Sequence, residues 1–283
     1  MTERAVSFAP GGRLTGILTE PPPDRARRDA PVVLASNVGL NHHVGPYRFF
    51  VDLSRDLARR GFASLRFDLS GLGNSSARRD TRGELDRALD DHDEAMKLLS
   101  SRGYLRFVPI GFCSGVDAVH RLAVDDTRVV GGCFIEGYAF RTPGFFLRYP
   151  LRYLDHARWL RLLSRRMPPA LRDLPGLRRL GHFASAFAGQ DEVFVRSYPS
   201  PVELRRDYEA MSARGTRQLF IYVGGDSAYN HQRQFLEFTG LPSLGPTREV
   251  VYLPEADHTF FRVADRDRVI ATIGDWMERE AAR

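Results

Sequence analysis

The sequence predicts an α/β protein with a doubly wound, mostly parallel sheet and a helical insertion near its middle. Two observations support this prediction. Short apolar runs of strand length alternate with segments whose apolar residues recur at helical spacing. Glycine-bearing loops follow the ends of several of these strands. The alternation stops near residue 140 and resumes near residue 202, so residues 1–139 and 202–283 are predicted to form the core.

The first core segment begins with a predicted hairpin over residues 4–20 that turns at Gly11 and Gly12. A helix is predicted over residues 48–60, because Phe49, Leu53 and Leu57 share one helical face and Gly61 follows as a stop signal. The other predicted elements are strands at residues 31–37, 63–69, 105–112 and 129–137, a helix at 84–101, and a helix after residue 113.

Residues 140–201 are rich in arginine, leucine, phenylalanine and proline, and they show no clear strand. An insertion at this point of a parallel sheet would cover the carboxyl ends of the strands, so the segment is predicted to be a lid. Its apolar face could simply pack on the sheet, roof an acyl pocket, or bind a membrane surface. The core then resumes with helices at 202–214, 230–238 and 264–283 and strands at 218–225 and 248–254.

The composition is that of a soluble globular protein, with 43% hydrophobic and 27% charged residues among 283. No apolar run approaches the roughly 18 residues of a membrane span, and no secretory signal is visible. Two cysteines make no disulfide framework, so a cytoplasmic location is predicted. The net charge of +6 indicates either a solvated arginine-rich surface or attraction to an acidic partner. No nucleic-acid-binding motif is present, and the oligomeric state is not predicted.

The motif GFCSG, residues 111–115, joins a predicted strand to a predicted helix. A strand that turns sharply into a helix and exposes one side chain is a nucleophile elbow, with the pattern G-x-S-x-G. The motif predicts Cys113 as the nucleophile. The alternatives are a degenerate elbow, in which Cys113 is a small buried apolar residue, and Ser114 as nucleophile, which the two glycines framing position 113 disfavour.

Two further loops follow strands. GGDSAYN places Asp226 after strand 218–225, and EADHTFF places His258 after strand 248–254. Together with NVGLNHHVGP, RFDLSGLGNSS, GFCSG and DHTF, the order Cys113, Asp226, His258 resembles the α/β-hydrolase superfamily over nearly the whole chain. Within it, the sequence is most similar to bacterial serine-aminopeptidase-like and exosortase-associated hydrolases. Cys113 stands where most members carry serine, although dienelactone-hydrolase-like members also use cysteine.

The chemistry assigns a role to each of these residues. Cys113 attacks a carbonyl carbon as thiolate, activated by His258 and by the start of the following helix. Asp226 holds the imidazole in the required tautomer. The oxyanion is predicted to bind the backbone N–H groups of Ser114 and Val38.

Other polar residues have alternative interpretations. Glu136 ends a predicted strand and is an alternative acid, whereas Asp257 is predicted to cap a turn. Either His42 or His43 lines the pocket, or both are structural loop residues. Cys133 is predicted to be a buried strand residue.

The remaining candidates carry no catalytic prediction. Asp68, in RFDLSGLGNSS, is predicted to be an internal hydrogen-bond acceptor in a tight turn, because the segment lacks G-x-G-x-x-G and a P-loop lysine. No metal site and no cofactor are predicted, since the other histidines, which are His92, His120, His156, His182 and His231, lack metal-ligand spacing.

These features predict an acyl-processing enzyme, a thioesterase, hydrolase or acyltransferase, with a Cys-His-Asp triad. A thiolate exchanges readily with thioesters, so the predicted substrate is an acyl thioester or lactone. Candidate carriers of the acyl group are an acyl carrier protein and coenzyme A, and candidate settings are natural-product and lipid pathways. The alternatives are a lyase or cyclase that catalyses elimination or ring closure on the same fold, and a non-catalytic binding module with a relic elbow.

Overall fold

The computed structural model describes residues 1–27, 29–149, 198–224 and 228–281, and within these residues eight strands form one sheet. The strands are β1 Thr2–Phe8, β2 Leu14–Glu20, β3 Val32–Ala35, β4 Ser64–Phe67, β5 Phe107–Phe112, β6 Gly131–Ile135, β7 Arg217–Val223 and β8 Arg248–Leu253. Their order is β1-β2-β4-β3-β5-β6-β7-β8. The pairs β1–β2 and β2–β4 are antiparallel, and all other pairs of this sheet are parallel.

Helices cover both faces of the sheet. Those of the described residues are α1 Phe49–Arg59, α2 Glu84–Ser100, α3 Val116–Asp125, α4 Pro143–Arg148, α5 Pro201–Ala213, α6 Gln234–Thr239 and α7 Val263–Ala281. On one face a buried apolar cluster joins the sheet to α2, α3, α5 and α6, and on the other a second cluster joins it to α1 and α7. The predicted doubly wound, mostly parallel α/β sheet is therefore confirmed. No helix in the described part of the chain is long and apolar enough to cross a membrane.

Local sequence signals explain where most elements begin and turn. The predicted hairpin turn is present, and Gly11 and Gly12 both have positive φ angles, 70° and 67°. Helix α5 begins one residue before its predicted start, because Ser200 and Glu203 form a capping box and Pro201 occupies the first turn.

Helix α6 begins at Gln234 rather than at the predicted residue 230. The backbone N–H of Asn230 donates to Oε1 of Gln234 at 2.8 Å. This side-chain contact stabilises a turn over the residues before the helix and delays its first helical residue.

The predicted lid, residues 140–201, is described only at its two ends. Helix α4 lies at the first end, where Thr142 accepts the backbone N–H of Phe145 at 3.2 Å as an N-cap. Residues 150–197 lie outside the described residues, so both the lid and its boundaries stay predictions.

The six strands β3 to β8 are neighbours in the sheet and all run parallel. Their carboxyl ends therefore lie at one edge of the sheet. The loops after β3, β5, β6 and β8 all leave the sheet at this edge. Most of the candidate catalytic residues lie in these loops, where parallel sheets usually bind ligands.

Candidate active site

The chain turns sharply between β5 and α3, and Cys113 lies at the turn. Its φ angle of 53° is in the left-handed region that non-glycine residues seldom adopt. Cys113 begins a 3₁₀ turn that leads directly into α3. A Cβ atom at Gly111 would lie 2.7 Å from the backbone oxygen of Gly115. The strand and the helix thus approach too closely for a side chain there, which is the geometry that the GFCSG motif predicts.

His258 lies in the loop after β8, with its side chain beside that of Cys113. On the other side of the ring, Nδ1 lies 3.1 Å from Oε2 of Glu136. The imidazole also packs edge-on against Phe112, with ring centroids 5.7 Å apart. His258 therefore connects the Cys113 thiol to a carboxylate, and Nε2 is the ring nitrogen left for the thiol.

Glu136 directly follows β6, and its carboxylate is fully buried. Its Oε1 accepts the backbone N–H of Val223 at 2.7 Å, and its own N–H donates to the carbonyl of Ile221 at 2.8 Å. Both partners belong to β7, so the neighbouring strand fixes the position of the carboxylate. Like Cys113, Glu136 has a left-handed φ angle, 51°, and backbone strain of this kind concentrates at functional sites.

The two partners of His258 change its protonation. Burial acts to lower the pKa of the imidazole, but the hydrogen bonds to Cys113 and Glu136, and the negative charges of these groups, outweigh burial and raise the pKa to about 10. An imidazole with this pKa is cationic at neutral pH. The site therefore places a buried carboxylate, the imidazole of His258 and the sulfur of Cys113 in one row.

Asp226, the acid predicted from the sequence, lies outside the described residues, and its role stays a prediction. Within the described residues, the carboxylate at Nδ1 of His258 belongs to Glu136, which the sequence offered as an alternative acid. The signal was a carboxylate at the end of the otherwise apolar strand VVGGCFIEG. A charged group buried at such a position requires a partner, and here that partner is a histidine.

The loop after β3 lies against the elbow. The N–H of Gly39 donates to Oγ of Ser114 at 3.0 Å. The N–H of Asn41 donates to the carbonyl of Val38 at 3.0 Å and closes a turn. The structure thus brings together Val38 and Ser114, the two residues whose N–H groups the sequence predicts as oxyanion donors. Their donation to an oxyanion stays a prediction.

The buried carboxylate of Asp68 joins this loop to the loop after β4. Its Oδ1 accepts the backbone N–H of His43 and Nδ2–H of Asn37, each at 2.7 Å. Its Oδ2 lies 2.7 Å from Nδ1 of His43 and accepts the backbone N–H of Asn74 at 3.0 Å. Burial acts to raise the pKa of Asp68, but these donors outweigh it and lower the pKa. The predicted role of Asp68 as an internal acceptor is confirmed.

His42 and His43 stack beside Asp68 with ring centroids 3.9 Å apart. Ligand atoms of the three side chains lie within 4.8 Å of one another, a spacing that could hold a metal ion. However, Nδ1 of His43 faces Asp68 at hydrogen-bond distance, and Nε2 of His42 lies 2.9 Å from Nδ2 of Asn74. The three side chains therefore form part of a hydrogen-bonded loop network. Whether either histidine lines the pocket stays a prediction.

The other candidates have structural surroundings. Asp257 accepts the backbone N–H groups of Thr259 at 2.9 Å and Phe261 at 3.1 Å, which confirms that it caps a turn. Cys133 is buried within β6, as predicted, and burial raises the pKa of its thiol. Of the other histidines in the described residues, His92, His120 and His231 are buried. His156 and His182 lie outside the described residues.

The fold that carries this site is shared with known hydrolases. The esterase domain of a Rhodothermus marinus protein is 19% identical, with a TM-score of 0.56 over 98% of this chain and 99% of that one. Alpha/beta hydrolase GrgF from Penicillium sp. sh18 is 17% identical, with a TM-score of 0.58 over 100% of both chains. Proline iminopeptidase from Mycobacterium smegmatis is 16% identical, with a TM-score of 0.57 over 99% of both. No protein-family model and no curated protein matches the chain. The structural similarities establish that it has the α/β-hydrolase fold.

Proposed function

We propose that this protein is an acyl-processing enzyme, a hydrolase or acyltransferase, with Cys113 as nucleophile, His258 as general acid and base, and Glu136 as the carboxylate that orients the histidine. The observation that carries the proposal is the row of side chains from Cys113 through His258 to the buried Glu136, whose carboxylate lies at hydrogen-bond distance from the imidazole. The similarity to an esterase and a peptidase of the same fold supports acyl chemistry in general terms. Asp226 is the second candidate for the acid.

The first half of the reaction forms an acyl-enzyme. Cys113, as thiolate, attacks the carbonyl carbon and a C–S bond forms, while the carbonyl electron pair moves onto oxygen. The N–H groups of Ser114 and Val38 stabilise this oxyanion. When the oxyanion collapses, the bond to the leaving group breaks and His258 donates its proton to that group. The start of α3 beside Cys113 favours the negative charge of the thiolate.

The second half transfers the acyl group. A thioester at Cys113 carries no negative charge. The charge of Cys113 then no longer raises the pKa of His258, whereas Glu136 still does. The neutral imidazole can therefore accept a proton from water, an alcohol or an amine as this acceptor attacks. Glu136 remains at Nδ1 throughout and stabilises the cation that forms again.

Thioesters and lactones are the acyl substrates best suited to attack by a thiolate. Exchange between two thioesters is nearly balanced in energy, whereas attack on an amide must expel a much poorer leaving group. We propose an acyl thioester, carried by coenzyme A or an acyl carrier protein, or a lactone as substrate.

The test is to trap the acyl-enzyme with acyl thioesters of N-acetylcysteamine. Intact-protein mass spectrometry should detect addition of the acyl mass. Cys113→Ala should abolish the adduct, and Cys133→Ala is the matched control because that thiol is buried. An adduct that persists in Cys113→Ala, or none with any chain length, contradicts the proposal.

A further inference from the structure

We infer that the hydroxyl of Ser114 is a positioning group that holds the loop after β3 against the elbow, so that the oxyanion-binding N–H groups keep their geometry. This inference rests on the proposed function, since it assigns a role in stabilising the oxyanion. The side chain of Ser114, and not only its backbone N–H, would then contribute to stabilising the oxyanion.

The contact that carries the inference joins the middle of the loop to the elbow. Gly39 donates its N–H to Oγ of Ser114 at 3.0 Å across 75 residues of sequence. Ser114 itself lies in the 3₁₀ turn between β5 and α3, a segment fixed by the sheet on one side and the helix on the other. The hydroxyl therefore restrains the middle of the loop against the rigid elbow.

A second close approach lies at the base of the same loop. A Cβ atom at Gly115 would lie 3.1 Å from the carbonyl oxygen of Asn37. The side chain of Asn37 is in turn held by Asp68, and so is the far end of the loop at His43. Asp68 thus anchors the two ends of the loop to β4, while Ser114 holds its middle.

The bond also decides which N–H the loop offers. Because the N–H of Gly39 is directed to Ser114, it is not available to an oxyanion, and the neighbouring N–H of Val38 stays the predicted donor of this loop. Oxyanion donors act through fixed positions, and small displacements are costly to the rate. Removal of the hydroxyl would release the middle of the loop and let this donor drift.

The experiment compares Ser114→Ala with the matched pair Ser114→Thr and Ser114→Val, which differ from each other only in the hydroxyl. With a thioester substrate, kcat should fall about tenfold in the alanine and valine variants, with KM little changed, and the threonine variant should keep most activity. Alkylation of Cys113 by iodoacetamide should proceed at the wild-type rate in all three variants. That reaction displaces iodide from a saturated carbon and develops no oxyanion.

The outcomes separate this inference from the proposed function. If kcat is unchanged or higher without the hydroxyl, or if threonine and valine behave alike, Ser114 does not position the loop. If alkylation falls together with kcat, the hydroxyl acts on the thiol and the inference is wrong. Turnover that survives Cys113→Ala refutes the proposed function itself, whatever the Ser114 variants show.

Discussion

At the scale of single residues, the backbone of Val223 determines what a substitution at Glu136 would do. The N–H of Val223 donates to Oε1 of Glu136, so in Glu136→Gln the amide oxygen would accept this hydrogen bond. The NH₂ group would then face Nδ1 of His258 and force the ring proton onto Nε2, the tautomer that cannot accept a proton from the thiol. We expect kcat with a thioester to fall at least about a hundredfold while the protein stays folded.

Two parallel substitutions complete this test. Asp257→Asn should cost little activity, because its carboxylate caps a turn through backbone N–H groups. Asp226→Asn reports on the acid predicted from the sequence. A larger loss for Asp226→Asn than for Glu136→Gln would identify Asp226 as the acid.

The raised pKa of His258 predicts the pH dependence of the thiol. A histidine with a pKa of about 10 keeps its proton at neutral pH and loses it only as the pH rises through that value. The cation favours thiolate at Cys113, so alkylation by iodoacetamide should stay fast well below the ordinary titration range of a thiol, near pH 8.5. In His258→Ala the rate should instead fall off below that range. Identical pH profiles for the two proteins would contradict the ion pair and favour a relic elbow.

At the scale of elements, the loops after β3 and β4 depend on one carboxylate. Both oxygens of Asp68 receive N–H donors, so Asp68→Asn would place an NH₂ group against donors and leave buried groups unsatisfied. We expect the free energy of unfolding to fall by about 1–3 kcal/mol. Urea denaturation measures this loss. Asp267→Asn, at an exposed position on α7, is the control, and an equal loss in both variants would contradict the role of Asp68.

Element positions were predictable where the signal is local. Apolar runs located the strands to within a few residues, because burial on both faces of a parallel sheet requires continuous hydrophobicity. The start of α6 was not predictable, because it depends on a contact between the side chain of Gln234 and the backbone of Asn230. Periodicity does not report such contacts.

The candidate site was predictable in part for the same reason. Motifs after β5 and β8 placed Cys113 and His258 at the same edge of a parallel sheet, and in the structure the two side chains lie next to each other. The choice of carboxylate was harder, since Glu136 and Asp226 follow neighbouring strands. The contact of Glu136 depends on the β6–β7 register and on a left-handed backbone angle, and neither can be derived from residue types.

At the scale of the whole molecule, the order of the strands determines which loops lie beside the nucleophile elbow. Strand β5 lies between β3 and β6, so the elbow has the loop after β3 on one side and Glu136 on the other. Hydrophobic alternation predicts parallel strands but not their order. The structure supplies this order.

The placement of the second cysteine has a consequence for oxidation. Cys133 pairs with Ile110, three residues before Cys113, which separates the two cysteines by about 10 Å along the strands. A disulfide requires Cα atoms within about 7 Å, so Cys133 cannot resolve a sulfenic acid formed at Cys113. Peroxide should therefore abolish the proposed activity by driving Cys113 to the sulfinic acid, whereas added glutathione should protect Cys113 as a mixed disulfide. Mass spectrometry distinguishes these products, and an intramolecular Cys113–Cys133 bond would contradict the geometry. An α/β-hydrolase with serine at this position would be insensitive to the same treatment, so the proposed thiol nucleophile would make the proposed activity depend on the reducing capacity of the surroundings.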